Sequence, residues 1–220
     1  MTLSRRDLEQ NRMSTLYASA TQRAALTAEE LSASLTATLA AKPKGAGWWV
    51  FGYGSLVWNP LFPVAETQPG TVRGFHRRFC LRSMASRGTP DEPGLVLGLE
   101  RGGSCRGRVF RLPAPLAVDE LHLLWRREMV VGSYVPRWVK VEVEGSERCA
   151  LTFIVKRSHP HYTGKLDVDE QVRILGCACG AFGSSRDYLN HTRAALAAHG
   201  IVDGYLEALA ARLAVPLPAG

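Results

Sequence analysis

The chain has 220 residues, with 27 Lys and Arg against 20 Asp and Glu, a formal net charge of +7. Hydrophobic residues make up 46% and charged residues 21%, a globular balance that excludes a disordered or collagen-like chain and leaves room for one ordinary domain with an extension. No run approaches the roughly 18 uninterrupted apolar residues of a transmembrane helix.

Ser4-Arg5-Arg6 faintly suggests a twin-arginine signal, but the residues after it are polar (Asp7, Glu9, Gln10, Asn11, Arg12) and supply no apolar segment, so an export signal is rejected. Residues 1–41 read as helical. Thr27 and Glu30 form a capping box, and Leu31, Leu35 and Leu39 then recur every four residues as an apolar stripe. The run Lys42-Pro-Lys-Gly-Ala-Gly47 stops this helix and acts as a linker. Residues 1–45 are thus expected to be a helical extension packed on a main domain at 46–220.

Trp48-Trp-Val-Phe51 reads as a buried strand. Further strands are expected over 70–82, 94–100, 105–112, 134–143 and 149–156, where β-branched and aromatic residues lie between Gly and Pro. A helix is expected near 117–130 and others after 167. Asp167 and Glu170 resemble a second capping box, followed by Val168, Val172, Leu175 and Cys179 at helical spacing. Tyr188, Leu189, Thr192, Ala195, Leu196 and His199 give a second stripe, and Ile201, Val202, Tyr205, Leu206, Leu209 and Leu213 a third. The fold class is α+β: a mixed, mainly antiparallel sheet or barrel with helices packed against it.

The five cysteines, at 80, 105, 149, 177 and 179, are an odd number without a signal sequence, which points to reduced thiols in the cytosol. Cys177 and Cys179 have the wrong spacing for a zinc or redox pair and are expected to be small buried hydrophobes. His159 and His161 have no third metal ligand nearby in sequence and read as loop or edge residues. Asn190-His-Thr192 matches a glycosylation sequon but falls on a predicted helix of a non-secreted chain.

Three features could carry chemistry. Gly52-Tyr53-Gly54-Ser55-Leu56 follows the first strand; its glycines permit close backbone approach, and its successive N–H groups could cradle an anion. It fits neither the dinucleotide fingerprint, which Val57 breaks, nor the P-loop or the nucleophile elbow, and it reads equally as a structural turn. Glu128 is the i+7 position of a face built on Leu121, Leu124 and Trp125. It is either drawn inward, where desolvation raises its pKa, or it is the frayed helix end paired with Arg126 or Arg127. Arg73, Arg77, Arg78, Arg82 and Arg87 form either a solvated surface or an electropositive rim that attracts small acidic ligands. By strand alternation 73, 77 and 87 fall on one face and 78 and 82 on the other.

These motifs together resemble the ChaC-type γ-glutamylcyclotransferases, which act on glutathione. The resemblance rests on Val50-Phe-Gly-Tyr-Gly-Ser-Leu-Val-Trp58-Asn-Pro60, then Arg78-Phe79, Arg82-Ser83, Arg87-Gly-Thr-Pro90 and Pro93-Gly94. Trp125-Arg-Arg-Glu-Met129, Gly132-Ser-Tyr134, Pro136-Arg-Trp138 and Asp187-Tyr188-Leu189 follow in order, so the match runs from about 48 to about 215. One departure is Gly180-Ala181, where the family often has Gly-Pro. The resemblance implies a γ-glutamylcyclotransferase-like mixed barrel and conversion of glutathione to 5-oxoproline and cysteinylglycine. It places the catalytic carboxylate at Glu128 and the substrate loop at Val50, Phe51, Gly52, Tyr53, Gly54, Ser55 and Leu56. Arg82, Arg87 and Tyr188 are further candidates for holding substrate carboxylates or the glycyl end. No cofactor or metal is implied, and neither nucleic acid nor membrane is an expected partner. Other expectations are a cyclotransferase for different γ-glutamyl amino acids or amines, a non-catalytic cation-transport regulator, and a basic nucleic-acid-binding protein.

Overall fold

The computed structural model describes residues 2–20 and 25–214. The expected helical continuity through 21–24, residue 1, and the end of the main domain at 215–220 lie outside these residues.

The N-terminal part forms three helices, α1 (Arg5–Glu9), α2 (Arg12–Ala20) and α3 (Ala28–Ala40). Short side chains start two of them. Ser4 and Asp7 form a reciprocal cap on α1, and Thr27 and Glu30 form the expected capping box on α3. Of the α3 stripe, Leu35 is fully buried while Leu31 and Leu39 sit at the edge of the same cluster.

Then come β1 (Trp49–Gly52), a 3₁₀ turn at Ser55–Val57, β2 (Glu66–Ser83) and β3 (Gly94–Arg111). Next are α4 (Ala117–Glu128), β4 (Tyr134–Val143) and β5 (Ser146–Val155). Five strands close into a barrel in the order β1-β3-β2-β4-β5. The β2–β3 and β4–β5 hairpins, β1–β3 and β2–β4 are antiparallel, while β5 pairs in parallel with β1 at Val50↔Leu151 and with β3 at Leu99↔Ile154. β3 is continuous across the break expected between 100 and 105. Gly102 and Gly103 take positive φ (101° and 69°) there, opposite a register shift between Arg73 and Phe75, so the glycines make a bulge and not a chain reversal.

The chain ends in α5 (Val168–Cys177), a two-residue ladder of β6 (Cys179–Gly180) and β7 (Gly183–Ser184), α6 (Ser185–Ala197) and α7 (Gly204–Ala214). Asp167 caps α5 by accepting from the Glu170 N–H at 2.8 Å. The expected α5 stripe shifts: Val168 is exposed, Cys179 has left the helix, and Gln171, Val172, Ile174 and Leu175 face inward. His199 lies beyond the end of α6 and is exposed, while Ile201 (buried) and Val202 (exposed) precede α7.

Two apolar layers flank the barrel. On one side β1 and β5 present Val50, Leu151 and Phe153 to Leu35, Leu121, Leu124 and Trp125 of α3 and α4. Trp125 meets Phe153 edge-on at 5.4 Å and donates its indole N–H to Ser34 Oγ at 3.3 Å, tying α3 to α4. On the other side, Phe51, Phe79, Leu95 and Leu97 pack with Leu175, Leu189, Leu206 and Leu209 of α5–α7. Among the described residues no helix is long and apolar enough to cross a membrane.

Candidate active site

α4 ends at Glu128. Its last N–H bond passes to Met129, and Gly132 at φ 68° turns the chain into β4 at Tyr134. The sequence offered two fates for Glu128, and the structure realises parts of both. It is the terminal residue of the helix and its Oε1 pairs with Arg127 Nε at 3.0 Å, yet only 13% of its side chain is exposed and it faces a cleft. Burial raises its pKa and the adjacent Arg127 charge opposes that rise. The negative end of the α4 dipole acts in the same direction as burial.

Glu128 stands between two cavities. An outer cleft with about 780 Å³ of empty space includes Ser55, Trp58, Arg82, Arg87, Tyr134 and Tyr188 in its walls. A narrow inner recess is bounded by Tyr53, Gly54, Ser55, Leu56, Leu97, Tyr134, Phe153 and Tyr188. Glu128, Ser55, Tyr134 and Tyr188 border both.

The loop after β1 owes its shape to two close approaches. A Cβ on Gly52 would come within 3.0 Å of both Leu56 and Phe110, and one on Gly54 would sit 2.7 Å from the Tyr188 hydroxyl. The 3₁₀ turn begins with Val57 N–H on Gly54 O at 2.9 Å. As in any helical start, the N–H groups just before that bond are not consumed by the turn itself. Tyr53 donates to Phe153 O at 2.7 Å and Tyr134 to Leu97 O at 2.9 Å, so both phenols are oriented by backbone. Burial, and after it the nearby Glu128 charge, push the Tyr53 and Tyr188 phenols up; for Tyr134, Tyr53 and Glu128 add to the burial.

The structure therefore gathers Glu128, Tyr53, Gly54, Ser55, Leu56, Arg82, Arg87 and Tyr188 around the cavities. Val50, Phe51 and Gly52 stand behind them: Val50 packs in the α3–α4 layer and Phe51 in the barrel core. Arg87 is buried, with its guanidinium 5.5 Å from the Trp58 ring centre and 5.6 Å from that of Tyr188, and it donates to Ser184 O at 3.3 Å. Burial depresses its pKa. Arg82 is exposed at the rim, with its backbone N–H on His161 O at 2.8 Å.

The five-arginine rim is corrected. Arg73 lies on the surface paired with Glu142, Arg77 is buried near Asp203, and Arg78 is directed to Glu100. Bulges at Arg73/Phe75 and Phe79/Leu81 reset the alternation, and Arg87 lies beyond the end of β2, so strand parity could not sort these residues. The expectation for Cys177 and Cys179 is also corrected: both are exposed, because one ends α5 and the other starts a short edge ladder, whereas Cys80 and Cys105 are buried. Among the described residues, no group of three His, Cys, Asp or Glu side chains is placed to hold a metal ion.

Sequence reading missed Arg127 as a site residue. Its guanidinium joins Glu128 to the glycine loop, donating to Ser55 Oγ at 2.8 Å and to Asn59 O. Tyr134 and Trp58 were missed too, although both fall in the motifs quoted above. Leu3, Met13 and Tyr17 of the N-terminal segment also line the cleft, and nothing in the local sequence signals it.

A family model described as "ChaC-like protein" matches residues 48–215. A glutathione-specific gamma-glutamylcyclotransferase of Escherichia coli (strain K12) is 42% identical over 163 residues, covering 74% of this chain and 71% of that protein. Gamma-glutamylcyclotransferase 2-3 of Arabidopsis thaliana is 31% identical over 173 residues, covering 74% and 86%. Among solved structures, a gamma-glutamyl cyclotransferase specific to glutathione from yeast superposes with a TM-score of 0.71 at 24% identity, covering 77% of this chain and 96% of that one, which shows a shared fold. The chain belongs to the ChaC-like family.

Proposed function

We propose that this ChaC-like protein is a γ-glutamylcyclotransferase that converts glutathione to 5-oxoproline and cysteinylglycine in the cytoplasm. The observation that carries the reading is the place of Glu128: a buried carboxylate of raised pKa where a narrow inner recess meets the outer cleft, beside a glycine loop. The relatives named as acting on glutathione support the choice of substrate.

The γ-glutamyl group carries its own nucleophile, the α-amine, which is protonated and inert at neutral pH. In this reading the γ-glutamyl half sits at the mouth of the inner recess against the glycine loop, and Glu128 takes a proton from the amine. The amine nitrogen then attacks the γ-carbonyl carbon and closes a five-membered ring. Holding the reactive conformer makes this an intramolecular step with little left to organise. Negative charge develops on the carbonyl oxygen, where in this reading the N–H groups of the turn at 54–56 are the donors, that of Ser55 being shared with the Tyr188 hydroxyl. Collapse breaks the bond to the cysteinyl nitrogen while the ring nitrogen, which carries two hydrogens after attack, gives one up; Glu128 passes both protons in turn to the leaving nitrogen, which departs as an ammonium. Atoms balance without water, metal or covalent enzyme intermediate. Burial serves Glu128 here: a raised pKa makes it a better base toward the ammonium and brings it nearer the operating pH, where one group can both take a proton and return it.

Arg82 and Arg87 carry positive charge on the wall of the outer cleft, where a peptide carboxylate would emerge. We also divide the chain at 45/46, with 46–220 carrying the proposed base and substrate loop and 1–45 as an extension packed on it.

The test is mass spectrometry of the protein incubated with glutathione, and in parallel with γ-glutamyl-alanine. Equimolar 5-oxoproline and cysteinylglycine, formed faster than 5-oxoproline from the alanine compound, is the expected result. Products from γ-glutamyl-alanine alone would replace glutathione as substrate, and no product from either would remove the reading.

A further inference from the structure

The segment preceding the matched region 48–215 contributes Leu3 and, from α2, Met13 and Tyr17 to the cleft wall. Tyr17 of α2 is 7% exposed and packs with Met13, Ala85, Val130 and Phe182. Its phenol interacts with the hydroxyls of Ser86 and Ser83 and lies near enough to Glu128 to feel that carboxylate's charge. Ser83 and Ser86 hydroxyls are 2.8 Å apart, and Ser83 Oγ accepts the Arg87 backbone N–H at 2.9 Å. A chain of hydroxyls thus runs from the N-terminal segment to the loop that carries Arg87.

The segment is held by specific bonds at both of its ends. Arg5 forms a two-pronged pair with the buried Glu120 of α4, at 2.7 and 3.0 Å, and also donates to Leu61 O at 3.2 Å. Asn59 Nδ2 donates to Leu3 O at 2.9 Å, and Leu26 N–H to Val130 O at 2.8 Å. These anchors fall on α4, on the turn after it, and on the stretch following the glycine loop, the elements that flank Glu128.

If the γ-glutamyl half sits against the glycine loop beside Glu128, the leaving half extends along the outer cleft, in whose wall Tyr17 stands. We propose that the N-terminal segment completes the leaving-group subsite, with Tyr17 as a specificity-determining residue that reads the peptide portion of the substrate and Leu3 and Met13 closing the wall beside it. The inference rests on the glutathione reading above. A tyrosine suits the role, because a rigid apolar ring packs against a peptide while its hydroxyl donates to or accepts from an amide. The favoured substrate class is a γ-glutamyl peptide, whose leaving group reaches further along the cleft than a single amino acid.

The test uses the full chain. Steady-state constants for glutathione and γ-glutamyl-alanine are measured for the wild type, Tyr17→Phe and Tyr17→Ala. Binding of both ligands is measured by calorimetry on Glu128→Gln with and without Tyr17→Phe. Loss of one hydrogen bond to the peptide predicts a rise of roughly two- to tenfold in the glutathione KM of Tyr17→Phe, with the preference for glutathione over γ-glutamyl-alanine falling by the same factor. Tyr17→Ala extends the loss of preference. A residue that only props the fold would depress both substrates equally or lower kcat at constant preference, and either result overturns the proposal, as does an unchanged preference in both variants. Failure of the underlying reading shows separately, in the wild type, as neither turnover nor binding of glutathione, and it removes this inference too.

Discussion

Arg127 Nε lies 3.0 Å from Oε1 of Glu128, its neighbour in sequence, while the other arms of the same guanidinium hold Ser55 Oγ and Asn59 O. One buried cation thus fixes the distance between the proposed base and the proposed substrate loop, and its charge restrains the rise that burial imposes on the Glu128 pKa. Glu128 takes a proton only when ionised, so turnover falls as pH drops through its pKa. Replacing Arg127 by Gln removes the charge that lowers this pKa, which therefore rises further. The acid limb of the kcat/KM profile is expected to move to higher pH in Arg127→Gln. A limb that stays in place or moves to lower pH would show that Arg127 does not set the ionisation of the base.

The contact between Gly54 and Tyr188 gives a second prediction. A methyl group at 54 would lie 2.7 Å from the Tyr188 hydroxyl, so Gly54→Ala must displace the loop or the ring, a strain of about 1–3 kcal/mol for overpacking. Activity and stability are expected to fall together. Tyr188→Phe removes the clashing oxygen, so the Gly54→Ala/Tyr188→Phe double variant is expected to be more stable than the sum of its parts, as read by urea melts in a double-mutant cycle. Strict additivity would place the strain elsewhere.

Arg87 presents a flat cation to Trp58 and Tyr188 at 5.5 and 5.6 Å. Lysine keeps the charge but loses the planar face and the fork of donors. Arg87→Lys is expected to lose about 1–2 kcal/mol of stability, the range of a desolvated cation–aromatic contact, and to raise the KM for glutathione. A KM equal to that of the wild type would remove Arg87 from substrate binding while leaving its packing role.

Trp125 is 1% exposed, between Phe153 of the barrel and Ser34 of α3. Trp125→Ala is expected to destabilise the chain by about 3–5 kcal/mol in a denaturant titration, by loss of buried surface and creation of a cavity. A loss below about 1 kcal/mol would mean that α4 is not held to the barrel through this side chain.

Features decided within a few residues could be read directly from the sequence. The Thr27 cap, the apolar β1 and the inward face of α4 follow from spacing alone, and Glu128 at i+7 was already ambiguous for a physical reason: a helix end can be paired and buried at once. Features that depend on tertiary register were not legible. The glycine pair at 102–103 marks a strand break or a bulge equally well, and only the partner strand decides. Strand parity failed for the arginines because two bulges intervene. Tyr17 carries no local mark at all: its approach to Ser86 and Glu128 depends on tertiary contacts such as that of Arg5 with Glu120, 115 residues away in the chain. The chemistry of the site became legible through several motifs in the right order, not through any one of them.

The central claim is that Glu128 moves the proton in an intramolecular cyclisation of glutathione. Its most direct test compares the wild type with Glu128→Gln under identical conditions, following 5-oxoproline and cysteinylglycine by mass spectrometry and checking the fold by circular dichroism. The amide oxygen of Gln can still accept from Arg127, so the variant is expected to fold. Its turnover is expected to fall by about 10²–10⁴, the range for a general acid–base group. A folded Glu128→Gln protein that forms both products at the wild-type rate would contradict the account.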